Sequence, residues 1–173
     1  GAVAFGAGVT YTVLMEALTH EQLALPNLPS LPHLNGVGSV VTGAHGGGIH
    51  TQAMASSVTA IRLVDPNGDI KVLTRESEDF GHYLHSFGAL GIITKMTMQA
   101  EPEYAVVKCI YEGLSWEFMR DETTYNEVIK SHDFVSFFTD WKRTRMNSVW
   151  LGKKVDIETL APGFMHVPPS EVC

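Results

Sequence analysis

Small residues crowd into one stretch of this chain, GVGSVVTGAHGGGIHTQ at 36–52, which holds six glycines in seventeen positions. Glycines let consecutive backbone N–H groups converge on an anion without side-chain bulk in the way. Gly36-Val37-Gly38, Thr42-Gly43 and Gly46-Gly47-Gly48 could build such a cradle. No Gly-Lys-Ser/Thr follows, so the stretch is not a P-loop. Nor does it join a first strand to a helix with an acidic residue about twenty positions on, as the dinucleotide fingerprint requires. A structural glycine loop and a phosphate- or flavin-binding loop both stay open at this point.

Other reactive residue types carry less. There are eight histidines. His45 and His50 are five apart and His82 and His85 three apart, but helical spacing without a third ligand is a poor zinc signal. Surface or loop histidines are therefore expected. Ser30 and Ser39 lie in no Gly-x-Ser-x-Gly elbow, and His33 is near them only in sequence. Cys109 and Cys173 are too far apart for a zinc or redox motif; one disulfide is open, but not a secreted disulfide framework. Trp116, Phe134, Phe137, Phe138, Trp141 and Trp150 read as core rather than as a ligand platform.

Charge narrows the class. Twelve Lys and Arg against nineteen Asp and Glu give −7, and nucleic-acid binding needs a basic face. The cluster Lys142, Arg143, Arg145, Lys153 and Lys154 reads as a solvated face. No apolar run reaches the length of a membrane span, and a cytoplasmic setting is slightly favoured. With 45% hydrophobic and 18% charged residues the composition is globular.

The elements that must position the glycine stretch follow from periodicity and breakers. Residues 1–5 read as a strand, with Thr10 a helix N-cap and Leu14 and Leu18 an apolar stripe ending before Pro26. Pro26, Pro29 and Pro32 impose an extended loop. Residues 58–64 and 70–73 form a hairpin around Pro66-Asn67-Gly68-Asp69, with Asn67-Gly68 favouring positive φ. A helix is expected at 78–87, a tight loop at 88–91 and a strand at 92–98. Glu101-Pro102-Glu103 marks a boundary, followed by strand 104–111, helix 115–131, strands 133–139 and 147–155, and a Pro-rich tail. The mixture predicts α+β. The abrupt ends, without initiator Met and in an apolar segment, read as cut from something longer.

Residues 24–46, ALPNLPSLPHLNGVGSVVTGAHG, resemble the second half of the FAD-binding domain in the vanillyl-alcohol oxidase superfamily. The alditol oxidases are the nearest likeness and the sugar-lactone oxidases come next. SSVTAIRLVDPNGDIKVLTR at 56–75, FGALGIITKMTM at 87–98 and VSFFTDWKRTRMNSVWLGKK at 135–154 agree in the same order. The resemblance implies the second half of a PCMH-type FAD-binding domain at 1–100 and the beginning of an α+β substrate domain at 104–173.

It also implies a cofactor, FAD, and a place for it. Ser30 would sit beside the isoalloxazine ring. Asn35, Gly38, Ser39, Val40, Val41, Thr42, Gly43, His45 and Gly46 would run along the flavin and its diphosphate. The turn at Gly91, Ile92 and Ile93 would lie near the adenine end. Gly43 or Gly46 is expected at positive φ, and the groove is expected to be positive through N–H dipoles. Ala44 and Asn35 depart mildly from the family pattern. The covalent flavin-linking histidine and the catalytic side chains of the family would lie in the half-domain before Gly1 and in the remainder of the substrate domain. No catalytic residue is therefore assigned. The implied reaction oxidises a polyol or sugar alcohol, with hydride passing to flavin and O₂ giving hydrogen peroxide. A sugar-lactone oxidase or dehydrogenase, or a non-catalytic binding module on this fold, are the alternatives. The missing parts of the same protein are the expected partner.

Overall fold

The computed structural model describes residues 1–142 and 144–159. Arg143, the Pro-rich tail and Cys173 lie outside them. The described residues divide into two compact units, one of residues 1–45 and 52–103, the other of 46–51 and the described residues from Tyr104 to Thr159.

The first unit is built on an antiparallel sheet ordered β1-β5-β3-β4, from β1 (Ala2–Gly6), β3 (Val58–Val64), β4 (Ile70–Thr74) and β5 (Ile92–Gln99). Alternation decides which face is covered. Met96 and Met98 are fully buried while Lys95 and Gln99 are exposed, so this strand's apolar residues share one face of the pleat. Phe5, Ile61, Leu63 and Ile93 join them there, opposite α1 (Tyr11–His20). That helix buries Tyr11, Leu14 and Leu18, the i, i+3, i+7 stripe of an amphipathic helix. Burying each large apolar side chain contributes about 1.5–3 kcal/mol before entropy is counted. A two-residue pairing of β2 (Leu23–Ala24) with β6 (Glu101–Pro102) ties the segment after α1 to the end of the sheet.

The hairpin between β3 and β4 forms as expected, but only Gly68 takes positive φ, at +89°. The Gly68 N–H bonds the Asp65 carbonyl and the Asp65 N–H bonds the Asp69 carbonyl, which is a type I turn closed by a glycine bulge. Asp65 Oδ1 also accepts the N–H groups of Asn67 and Asp69 at 2.9 and 3.0 Å. The helix expected at 78–87 is shorter, α3 (Phe80–Leu84).

The second unit has β7 (Ala105–Glu112), β8 (Phe134–Phe138) and β9 (Ser148–Val155) in the order β7-β9-β8, all antiparallel. The single helix expected over 115–131 is two, α4 (Glu117–Arg120) and α5 (Glu122–Ser131). Asp121 stands between them in extended geometry and caps α5, accepting from the N–H groups of Thr123 and Thr124. Hydrogen bonds from Thr124 and the neighbouring N–H groups hold its carboxyl below the usual range. A short polar side chain at an N-cap offers the backbone an alternative to continuous helix, and periodicity alone does not register it. Val135, Met146, Val149 and Leu151 form a small core under Val128, Ile129 and Phe118.

Candidate flavin-facing site

The first part of the glycine stretch does not fold as an open loop. Gly36–Val41 is a six-residue helix, α2, and both of its ends are closed by the chain itself. At the start, Asn35 is extended and its Oδ1 accepts the Gly38 N–H at 2.8 Å, as an N-cap does. Its Nδ2 donates to the Ala7 carbonyl at 2.5 Å, and the Gly36 N–H bonds the Val9 carbonyl at 3.0 Å. The turn after β1 and the start of α2 are thus one hydrogen-bonded piece. A Cβ at Gly36 would stand 2.9 Å from the Phe5 ring, so glycine is what the close approach allows.

At the other end Gly43 has φ +75°. Its N–H bonds the Val40 carbonyl, and the Ala44 N–H bonds the Ser39 carbonyl at 2.9 Å. This pair is a Schellman motif. The Thr42 hydroxyl donates to the Gly38 carbonyl at 2.9 Å. The N–H groups of Gly38, Ser39, Thr42, Gly43 and Ala44 are therefore all bonded within the chain. These five N–H groups are thus not left to converge on an anion. Glycine freedom serves capping instead.

Residues implied as flavin contacts divide into two kinds. Val40 is fully buried, and Ser39, Val41 and Ile93 are buried as well; Val40, Val41 and Ile93 belong to the core of the first unit. Ser30, Thr42, His45, Gly46 and Ile92 are exposed, while Asn35, Gly38 and Gly43 are half-buried. Ser30 begins a fully exposed run to Leu34. That run is pinned along α1 by the Thr12 hydroxyl on the Pro32 carbonyl and the Tyr11 N–H on the Leu34 carbonyl, both 3.0 Å.

Ile92 and Ile93 belong to β5 rather than to a turn. The loop before them is drawn to the end of α2, where the Phe87 N–H bonds the Val41 carbonyl at 3.2 Å. Gly46–Thr51 groups with the second unit. There a Cβ on Gly47 would overlap the Val135 carbonyl, and one on Gly48 the Asp133 carbonyl. Packing on β8 explains this glycine pair without a ligand.

Two supports were not read from the sequence. Tyr11, fully buried, shares a 2.6 Å hydrogen bond with the Ser39 hydroxyl. Burial raises its phenol pKa, and the bond to Ser39 partly offsets this. Its place three residues before Leu14 on the apolar stripe is the signal that would have found it. Asn27, also buried, donates to the Gln52 carbonyl at 2.9 Å and accepts the Leu28 N–H, tying the Pro-rich loop to the end of the glycine stretch.

One stretch of the sequence is free of ionised side chains. Residues 22–61, forty in succession, contain no Asp, Glu, Lys or Arg. Among the described residues no group of three His, Cys, Asp or Glu is placed to hold a metal, and no helix is long and apolar enough to cross a membrane.

Residues 1–74 match the family model described as FAD binding domain. The chain is 35% identical over 170 residues to an alditol oxidase of a Streptomyces species, covering 98% of this chain and 40% of that protein. It is 27% identical over 158 residues to a D-arabinono-1,4-lactone oxidase of Kluyveromyces lactis, covering 90% of this chain and 29% of that protein. An L-gulono-1,4-lactone dehydrogenase of Mycobacterium tuberculosis matches at 28% over 106 residues, 61% of this chain and 24% of that protein. The chain thus spans less than half the length of each. Residues 1–74 belong to the FAD-binding domain family, and the chain is a relative of the FAD-linked alditol and sugar-lactone oxidases.

Proposed function

We propose that this chain is part of an FAD-dependent oxidoreductase that oxidises a polyol or sugar alcohol to a carbonyl compound, with O₂ reduced to hydrogen peroxide. The observation that carries the reading is the uncharged run 22–61 folded around the capped helix α2, within the residues that match an FAD-binding family. Bound FAD would supply the two-electron chemistry, accepting hydride from the alcohol carbon and passing the electrons to O₂.

The chain's own residues would bind and orient. Ser30 and Thr42 would offer hydroxyls, and His45 and Gly46 would offer edge contacts. Asn35 would hold α2 at its angle to the turn after β1. Val40, Val41 and Ile93 would form a dry backing, and Gly38, Gly43 and Ile92 would complete the contact surface. On this reading residues 1–100 are the second half of a PCMH-type domain and 104–173 begin the substrate domain. The general base and the covalent link to flavin would come from elsewhere in the protein, and the fragment alone would not turn over.

A sugar-lactone oxidase or dehydrogenase is the second reading, supported by the matches to the Kluyveromyces and Mycobacterium proteins. The test is a peroxide assay of the full-length protein with xylitol, sorbitol, gulonolactone and arabinonolactone, beside titration of the chain with FAD. Faster peroxide release with the polyols supports the first reading, and with the lactones the second. Failure of the full-length protein to hold FAD would leave only a binding module on this fold.

A further inference from the structure

The chain has two Asn-Gly steps, Asn35-Gly36 and Asn67-Gly68. A glycine after asparagine carries no Cβ to shield its backbone nitrogen, so that nitrogen can reach the side-chain carbonyl carbon of the asparagine before it. The two steps share this local chemistry, and the fold treats them in opposite ways.

Asn35 is held at each atom such a reaction would use. Its Oδ1 accepts the Gly38 N–H at 2.8 Å and its Nδ2 donates to the Ala7 carbonyl at 2.5 Å. The Gly36 N–H, which would have to give up its proton, bonds the Val9 carbonyl at 3.0 Å, and Gly36 is buried. Reaction there requires the joint between the turn after β1 and the start of α2 to come apart.

Asn67 is not so held. Residues 66–70 are all exposed, and among the described residues the Asn67 side-chain amide has no hydrogen-bond partner. Its backbone N–H is fixed by Asp65 Oδ1 at 2.9 Å, which anchors the residue and leaves its amide open. Against attack stands one bond, from the Gly68 N–H to the Asp65 carbonyl at 3.0 Å. It lies in an exposed turn that can open without disturbing the buried face of the sheet.

We propose that Asn67 is a site of spontaneous covalent modification, passing to a mixture of aspartate and isoaspartate, while Asn35 is spared. The Gly68 nitrogen loses its proton to solvent and bonds to Asn67 Cγ. The Cγ–Nδ2 bond breaks, ammonia leaves, and a five-membered succinimide is formed. Water then opens the ring at one carbonyl or the other, giving aspartate or isoaspartate, with no oxidant or reductant involved. Either product adds a carboxylate beside Asp65 and Asp69. The aspartyl product keeps a sequence that suits the turn. The isoaspartyl product lengthens the main chain by a methylene inside the loop that the Asp65–Gly68 bond closes, which loosens the hairpin of β3 and β4. The site depends on this turn alone and is independent of the oxidation proposed above.

The test keeps the protein folded in ¹⁸O-labelled water at mildly alkaline pH, beside a second sample in urea at the same pH, and digests both with trypsin. Asn67 then lies in the peptide 63–71 and Asn35 in the peptide that ends at Arg62. Chromatography with mass-spectrometric fragmentation should show two products at Asn67, aspartyl and isoaspartyl, each with ¹⁸O incorporated. In the folded protein Asn67 should lose its amide at least about tenfold faster than Asn35, the ratio that about 1.4 kcal/mol of protection against local opening gives. In urea the two rates should converge. Either of two results would overturn the proposal: Asn67 keeping its amide in the folded protein, or Asn35 losing its own there as fast as Asn67.

Discussion

The hydroxyls of Tyr11 and Ser39 lie 2.6 Å apart and join the buried face of α1 to that of α2. Ser39 Oγ also donates to the Gly36 carbonyl at 3.0 Å, whereas the Tyr11 hydroxyl has only a 3.5 Å approach to that carbonyl besides Ser39. The two deletions should therefore differ. Tyr11→Phe removes one partner of a serine that keeps another, at about 1 kcal/mol. Ser39→Ala leaves a buried phenol poorly satisfied, at about 1–3 kcal/mol. Urea unfolding of both singles and the double would read the coupling, and additive losses would show that the bond contributes nothing.

Asn35 does two jobs, one with each end of its amide. Replacing it with Ala should destabilise by about 1–2 kcal/mol through loss of the cap. Asn35→Asp keeps the acceptor for the Gly38 N–H but loses the donor to the Ala7 carbonyl, so it should fall between wild type and Ala. Equal melting temperatures for the Asp and Ala variants would place all the effect on the Ala7 bond.

Stability should fall at both extremes of pH, for opposite reasons. Asp65 is held below the usual carboxylate range, first by its bond from Lys71 at 2.9 Å and then by the N–H groups of Asp69 and Asn67. The unfolded chain binds that proton more readily, so the stabilisation is complete above a pH of about 4 and is lost as pH drops through the folded value. Tyr11 is the converse: burial raises its pKa, so its contribution holds below about pH 10 and declines as pH rises through the raised value. Urea midpoints across pH should show both slopes. Asp65→Asn should flatten the acid one and Tyr11→Phe the alkaline one.

Gly91 has φ +143°, and a Cβ there would lie 2.6 Å from the Val64 carbonyl and 2.8 Å from Leu63 Cδ1. Gly91→Ala combines backbone strain with a clash against β3 and should cost about 2–3 kcal/mol. A thermal midpoint within error of wild type would show that the β5 entrance bends freely.

Legibility in the sequence followed the range of the signal. The hairpin at 58–74, strand β5 and helix α1 were readable because alternation and the 3.6-residue stripe are local consequences of one buried face. Asp121 was missed because one capping side chain outweighs a helical period that continues through it. Composition left the glycine stretch open between a structural loop and an anion cradle, because it shows what glycine permits, not which use prevails. The deciding facts were Phe5 against Gly36 and the carbonyls of Asp133 and Val135 against Gly47 and Gly48, and each is a contact between distant positions. Which exposed residues could meet a flavin depended on the same long-range packing. Ser39 and Val40 look no different in sequence from Ser30 and Thr42.

Thr51 donates to the Asp133 carbonyl at 2.8 Å across a sequence separation of 82, in a segment the second unit borrows from within the first. Nascent chain emerging from a ribosome would thus expose Gly46–Thr51 long before β8 exists to receive it. Closing so long a loop is an entropic step that local pairing does not reward. The second unit therefore cannot be completed before β8 is made, and a protease that nicks near residue 48 in this interval would cut the segment that finishes it.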